Sequence, residues 1–212
     1  RRGTDSSKWG RQPPDVIPMP VADMDFPAPE PVRLALRERV EHGFYGYGLA
    51  MPEFHAAFRA WLSSRYGWEV EDEALVPLPG VIPGFNVALR ALGQPGEGVV
   101  VQLPSYPPIL GANSHHGLVR QDALLVRSDS GRYEIDWESF EAAITPETRA
   151  FLLCNPHNPV GRVFTRAELE RMAEICLSRG LWIIADEIHS DLMLGGSVHT
   201  PIASLGPEIA ER

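Results

Sequence analysis

Two runs in this chain, Ala150 to Cys154 and Leu181 to Ala185, are apolar throughout, and each is followed at once by a burst of polar residues. A strand that is apolar on both faces needs cover on both, and a parallel sheet with helices on either side supplies it. The surrounding pattern agrees. From Gly67 onward, short apolar runs alternate with stretches of helical period, as expected of an α/β domain with a mostly parallel sheet. Strands are expected at Ala74 to Leu78, Gly98 to Leu103, Leu118 to Val126 and the two runs above, with helices at Ile82 to Leu92, Tyr106 to His115, Trp137 to Ile144 and Thr165 to Arg179. The last helix is the best marked. Thr165 and Glu168 form a capping box, Leu169, Met172, Ala173 and Cys176 make a buried stripe, and Gly180 closes it.

Ahead of Gly67 the chain reads differently. Pro13, Pro14, Pro18 and Pro20 interrupt the stretch up to Phe26, which is expected to run as an extended arm. A helix follows from Glu30 to Val40, with Val32, Leu36 and Val40 on one side and Gly43 as its stop. A second spans Pro52 to Tyr66, where Phe54, Ala57, Phe58, Trp61 and Leu62 share a face and Gly67 ends it. With 212 residues and 44% hydrophobic content the chain can bury a sizeable core. A net charge of −9 and a pI near 5.2 argue against nucleic acid as a partner, because that affinity comes from clustered Lys and Arg. No run approaches the roughly 20 apolar residues that span a bilayer, and residues 1–8 lack the apolar segment of a secretion signal. A cytoplasmic protein without a membrane partner is the expectation.

The polar bursts are where chemistry is to be sought. In open α/β sheets ligands bind beyond the carboxyl ends of the strands, and Asn155 and Asp186 both fall there. An acid so placed can hold the cationic ring nitrogen of a cofactor, or it can cap a turn. Asn155 to Gly161 is a proline-punctuated turn with two amides that donate and accept hydrogen bonds. His157 within it reads as a packing or hydrogen-bonding residue, and His115 and His116 as surface residues. Glu187, His189, Asp191 and His199 lack the paired spacing of metal ligands, so no metal site is expected. Gly80 to Gly84 sits between an expected strand and a helix start, where backbone N–H groups stabilise an anion; it also suits a plain structural turn. Tyr106 can lie along a flat cofactor or belong to the core. Cys154 and Cys176 read as buried structural thiols.

Four segments together resemble fold-type I pyridoxal phosphate (PLP) enzymes of the aminotransferase class I/II superfamily, and within it the cystathionine beta-lyase-like C–S lyases: Val21 to Phe26, His42 to Tyr47, Leu153 to Arg162 and Asp186 to Leu192. The resemblance covers essentially the whole chain. It implies a three-layer αβα PLP-dependent transferase-like fold, incomplete at the C-terminus, with residues 1–48 as an arm and small-domain segment and residues 49–212 as the N-terminal part of the large PLP-binding domain. It also implies roles. Asp186 matches the acid that keeps the pyridine nitrogen protonated, and Asn158, with Asn155 beside it, matches the amide at the ring oxygen. Tyr106 matches the stacking aromatic, and Val81 and Ile82 match the backbone donors to the phosphate. Tyr47 resembles a tyrosine that reaches the phosphate of a neighbouring subunit, which implies a homodimer with composite sites. His189 stands where aminotransferases place a tyrosine and the lyase-like branch has histidine.

Two features depart from that pattern. Pro20 replaces an aromatic ahead of the Val21 motif. More consequentially, the cofactor is held on a lysine amine, and the only lysine here, Lys8, matches an ordinary arm residue. The family lysine follows the stretch resembling Thr200 to Leu205 in a Ser-Lys-Thr segment, so it is expected beyond Arg212, as is the carboxylate-binding arginine. No catalytic residue is therefore expected within the chain. The reading that results is a PLP-dependent C–S beta-lyase, taking cystathionine or a related cysteine-type amino acid through alpha,beta-elimination to pyruvate and ammonia. The alternatives are a class I/II aminotransferase and a non-catalytic truncated module that keeps the fold.

Overall fold

The proline-rich start of the chain folds locally around its only lysine. In the computed structural model, which describes residues 1–20, 22–49 and 51–212, helix α1 (Ser7–Gly10) is capped by the Ser6 side chain and carries Lys8. Val21, the first residue of the Val21 to Phe26 motif, and Ala50 lie outside the described residues. Lys8 is only 9% exposed, and its Nζ donates to the Asp23 carbonyl and to Asp25 Oδ2, both at 2.9 Å. Trp9 Nε1 donates to the other oxygen of Asp25 at 2.6 Å. Hydrogen bonds from Lys8, and then Trp9, hold the Asp25 carboxyl below its ordinary range. The expected extended arm thus carries one short helix tied to its own acidic motif, and its described residues from Arg11 to Phe26 form neither helix nor strand. Helix α2 (Glu30–His42) follows and ends at Gly43, whose φ of 75° is the left-handed cap that glycine adopts without penalty. Val32, Leu36 and Val40 on it are all exposed.

The chain divides into two compact units, Arg1–Leu49 and Ala50–Arg212. The second begins with α3 (Pro52–Tyr66), which stops at Gly67, where φ is 62° and the backbone N–H returns to the carbonyls of Leu62 and Ser63. The strand expected at Ala74 to Leu78 is absent. A 3₁₀ turn at Asp72–Ala74 takes its start, Val76 and Leu78 are exposed, and no described strand lies beside the segment. Pro77 supplies the physical reason, since it cannot donate to a ladder.

The sheet forms from β1 (Gly98–Leu103), β2 (Val119–Arg127), β3 (Tyr133–Ile135), β4 (Thr148–Cys154) and β5 (Trp182–Asp186), in the order β3-β2-β1-β4-β5. All neighbours are parallel except β2 and β3, a hairpin that sequence periodicity did not reveal. Alternation along the central strands separates two cores. Val99 and Val101 of β1, with Ala150 and Leu152 of β4, face α4 (Val81–Leu92) and α5 (Pro107–Ala112) through Phe85, Leu89 and Ile109. Val100, Phe151 and Leu153 face the opposite layer, made by α6 (Trp137–Ala143) and α7 (Arg166–Ser178) through Phe140, Leu169 and Met172. Three layers, αβα, result. The helix α7 carries the expected capping box in full, and Gly180 beyond it has φ of 68°.

Cover is uneven across the sheet. The strand β4 is buried almost end to end, whereas β5, equally apolar in sequence, is half-buried because it lies at the edge and, among the described strands, pairs with β4 alone. Short α8 (Pro207–Ala210) follows a 3₁₀ turn at Ile202–Leu205, and the Arg212 carbonyl accepts from the Ile183 N–H at 2.8 Å. Two substitutions separate core from cap. Phe151→Ala, at a fully buried ring stacked edge-on to Phe140 at 5.1 Å, should lower unfolding free energy by about 3–5 kcal/mol, and Thr165→Ala by about 1 kcal/mol, both read from urea denaturation midpoints.

Candidate functional site

The carboxyl ends of β4 and β5 meet residue by residue. Cys154 stands opposite Asp186 in the ladder, and the next N–H, that of Asn155, donates to the Asp186 carbonyl at 2.9 Å. The Asp186 carboxylate is buried, at 5% exposure, and Oδ1 accepts from the Ile188 N–H at 3.2 Å. Burial pushes its carboxyl up from the ordinary range; the Ile188 hydrogen bond and His189 pull it down, and Glu187 adds to the rise. Among the described residues no Lys or Arg pairs with Asp186. A buried carboxylate with one backbone donor and no cation is matched by a basic ring nitrogen brought against it, which would offset the desolvation.

The Asn155 to Gly161 turn is built on buried polar side chains. Asn155 is wholly buried; its Oδ1 accepts from the Phe164 N–H at 3.0 Å, while Nδ2 has no acceptor among the described residues. His157, 1% exposed, sits between two carbonyls, with Nδ1 3.1 Å from Cys154 O and Nε2 2.8 Å from Pro104 O. It thereby ties the end of β4 to the residue after β1. Burial holds its imidazole below the ordinary range, against the opposing pull of those two carbonyls. The turn closes through His157 N–H to Arg162 O at 2.7 Å and Gly161 N–H to His157 O at 2.9 Å. Asn158, half-buried at its tip, lines a cavity of about 420 Å³ together with His189, Tyr133 and Arg162.

The remaining expected residues fall on the same end of the sheet or apart from it. Helix α4 packs on β4 and β5, and only a short turn joins Leu92 to Gly98, so its N-terminus returns to the carboxyl ends of the strands. There Gly80 has φ of 155°, which L side chains rarely adopt, and no side chain caps the helix. The N–H groups of Val81 and Ile82 are among those a helix start leaves without an intrahelical acceptor, while Gly84 N–H already donates to Gly80 O at 3.0 Å. Tyr106 is the N-cap residue of α5, half-buried against the same apolar cluster as Val81. Tyr47 belongs to the Arg1–Leu49 unit and is fully exposed.

Sequence reasoning missed Arg162 and the surroundings of Glu187. Arg162 is 7% exposed and ion-paired to Glu168 of the capping box, with Nε and Nη1 unpartnered among the described residues. The signal was Glu168, whose second oxygen the box leaves free. Among the described residues no group of three or more His, Cys, Asp or Glu side chains forms a metal site. Glu187 and His199 do come together, but with Tyr66 rather than with a further ligand. No helix of the described residues is long and apolar enough to cross a membrane.

A family model described as aminotransferase class I and II matches residues 14–210. Cystathionine beta-lyase PatB of Bacillus subtilis (strain 168) is 42% identical over 217 residues, covering 100% of this chain and 56% of the relative. Among solved structures, OvoB superposes with a TM-score of 0.94 at 37% identity, covering 100% of this chain and 56% of that one. Cystalysin from Treponema denticola, whose crystal structure contains a pyridoxal 5'-phosphate cofactor, superposes with a TM-score of 0.92 at 30% identity, covering 99% and 55%. The chain spans about half the length of the curated relatives it matches.

Two outcomes follow from this geometry. Asp186→Asn, in the cofactor-free chain, should raise the thermal midpoint at neutral pH. The folded-state pKa of Asp186 lies above the unfolded value near 3.9, so its ionisation costs stability that is absent below that pH and fully present above the folded value. The gain should therefore vanish when the comparison is repeated below about pH 4. Burial also pushes the Cys154 thiol up to about 11 and the Cys176 thiol up to about 12. Iodoacetamide at pH 8 should label neither in the native chain and both in urea, as read by intact mass.

Proposed function

Because the chain belongs to the aminotransferase class I and II family, we propose that residues 1–212 build the cofactor cradle of a pyridoxal-phosphate-dependent C–S beta-lyase acting on cystathionine or related cysteine-type amino acids. The observation that carries the reading is Asp186, a buried carboxylate at the end of β5 without a cationic partner among the described residues. Bound pyridoxal phosphate supplies an electron sink for the pair left when the substrate's α proton departs.

In this reading Asp186 keeps the ring nitrogen protonated by charge, in a site where low water access strengthens the interaction. Asn158 would donate its amide toward the ring oxygen, His189 lines the same cavity as Asn158, and Asn155 holds the turn that presents Asn158. Val81 and Ile82 offer backbone N–H groups to the phosphate, where the start of α4 favours negative charge. Tyr106, half-buried at the start of α5, would lie along the ring. Residues 1–48 form an arm and small-domain segment, residues 49–212 belong to the cofactor-binding domain, and the exposed Tyr47 reaches the phosphate of a second copy in a homodimer. Lys8, held by Asp23 and Asp25, does not take part, so the lysine amine that moves the α proton is supplied from outside these residues. His189 in place of a tyrosine and the 42% identity to a cystathionine beta-lyase favour elimination over amino transfer.

The deciding experiment gives cystathionine to the gene product that carries residues 1–212. Pyruvate, ammonia and homocysteine in equal amounts are expected, and Asp186→Ala should lower kcat/KM by about 10²-fold or more. Amination of an added keto acid with no pyruvate would replace the lyase with an aminotransferase. Residues 1–212 alone should bind pyridoxal phosphate without forming a borohydride-trappable adduct.

A further inference from the structure

The four-residue run from Asp186 to His189 carries two residues assigned above to the proposed cradle and leaves Glu187 facing elsewhere. Glu187 Oε1 accepts from the Ile202 N–H at 2.9 Å, and Oε2 lies 3.5 Å from His199 Nε2. The His199 side chain is wholly buried, and neither ring nitrogen has a hydrogen-bond partner among the described residues. Its ring meets Tyr66 edge-on at 5.6 Å, and Tyr66 Oη donates to Asp191 Oδ1 at 2.9 Å. The turn itself is closed by Ser190 N–H to Glu187 O and Leu192 N–H to His189 O, both at 2.9 Å. A buried imidazole offers packing nothing that phenylalanine would not, and its unpaired nitrogens are costly unless they act on the neighbouring carboxylate.

We propose that His199 is a positioning residue: with Glu187 and Tyr66 it straps the turn after β5 to residues 199–202 and to the end of α3, and so holds Asp186 and His189 in place. The inference rests on the cradle reading of Asp186. It acts through the backbone, since Glu187 is bonded to Asp186, and the Ile188 N–H that Asp186 accepts lies one residue further on.

The test uses the full chain with His199→Phe and His199→Gln. In native-state hydrogen exchange, His199→Phe should speed the Ile188 and Ile202 amides by about tenfold while Val100 and Phe151 in the central strands stay as protected as in wild type. His199→Gln, which keeps an N–H donor toward Glu187, should restore most of that protection. Pyridoxal phosphate affinity, read by titration, should fall about tenfold in His199→Phe and recover in His199→Gln. Unchanged exchange at Ile188, or uniform acceleration that includes Val100 and Phe151, would overturn the strap. If the wild-type chain binds no pyridoxal phosphate, the cradle reading fails on its own, and exchange at Ile188 still decides the strap.

Discussion

The register between β4 and β5 sets Cys154 against Asp186, and the candidate site is organised from that pairing outward. A slip of one residue would turn the Asp186 side chain to the opposite face and pass its carbonyl's hydrogen bond from Asn155 to a neighbour. Held in register, the two strands end together. The turn after β4 then presents Asn158, and the turn after β5 presents His189, on the walls of one cavity. The buried apolar rows of β1 and β4 beneath that pairing are covered by α4 and α5 on one face and by α6 and α7 on the other.

Charge is handled in two contrasting ways. In the first unit the lone lysine is matched at short range by a carbonyl and a carboxylate, which leaves its amine committed to the local fold. At the sheet end, Asp186 is buried with one backbone donor and no cation among the described residues, and Glu187 next to it raises the cost of its charge. Carboxylates so placed are tolerated where a bound group supplies what the chain withholds. His157, Asn155 and Arg162 surround the site with further buried polarity, most of it spent on backbone groups of the turn, which fixes the position of Asn158 without using its amide.

Much of this is legible in the sequence alone. The capping box of Thr165 and Glu168, the stops at Gly43, Gly67 and Gly180, and the two wholly apolar runs correspond to features of the structure because each rests on interactions within a few residues. The segment from Ala74 to Leu78 misled for the converse reason: strand propensity is only a preference for a half-buried pleated surface, and no described neighbour provides one. β3 was hidden because three residues are too few to show a period. Leu181 to Ala185 and Ala150 to Cys154 look alike as text, yet one became an edge and the other a centre.

The sequence by itself determined most of the helices and the longer strands of the second unit, though neither the absence of a strand at Ala74 to Leu78 nor the presence of β3, that the sheet is mostly parallel with apolar central strands, and which polar residues stand at the strand ends. These are consequences of periodicity, capping and side-chain chemistry, all local. Only the tertiary structure decided that Asp186 is buried without a cation among the described residues, that His157 bridges Cys154 and Pro104, and that Glu187, His199 and Tyr66 meet. Apart from the local contact of His157 with Cys154, those pairings depend on separations of 12 to over 100 residues closed by strand order and helix packing, and burial and pairing are properties of that closure, not of any one stretch of chain.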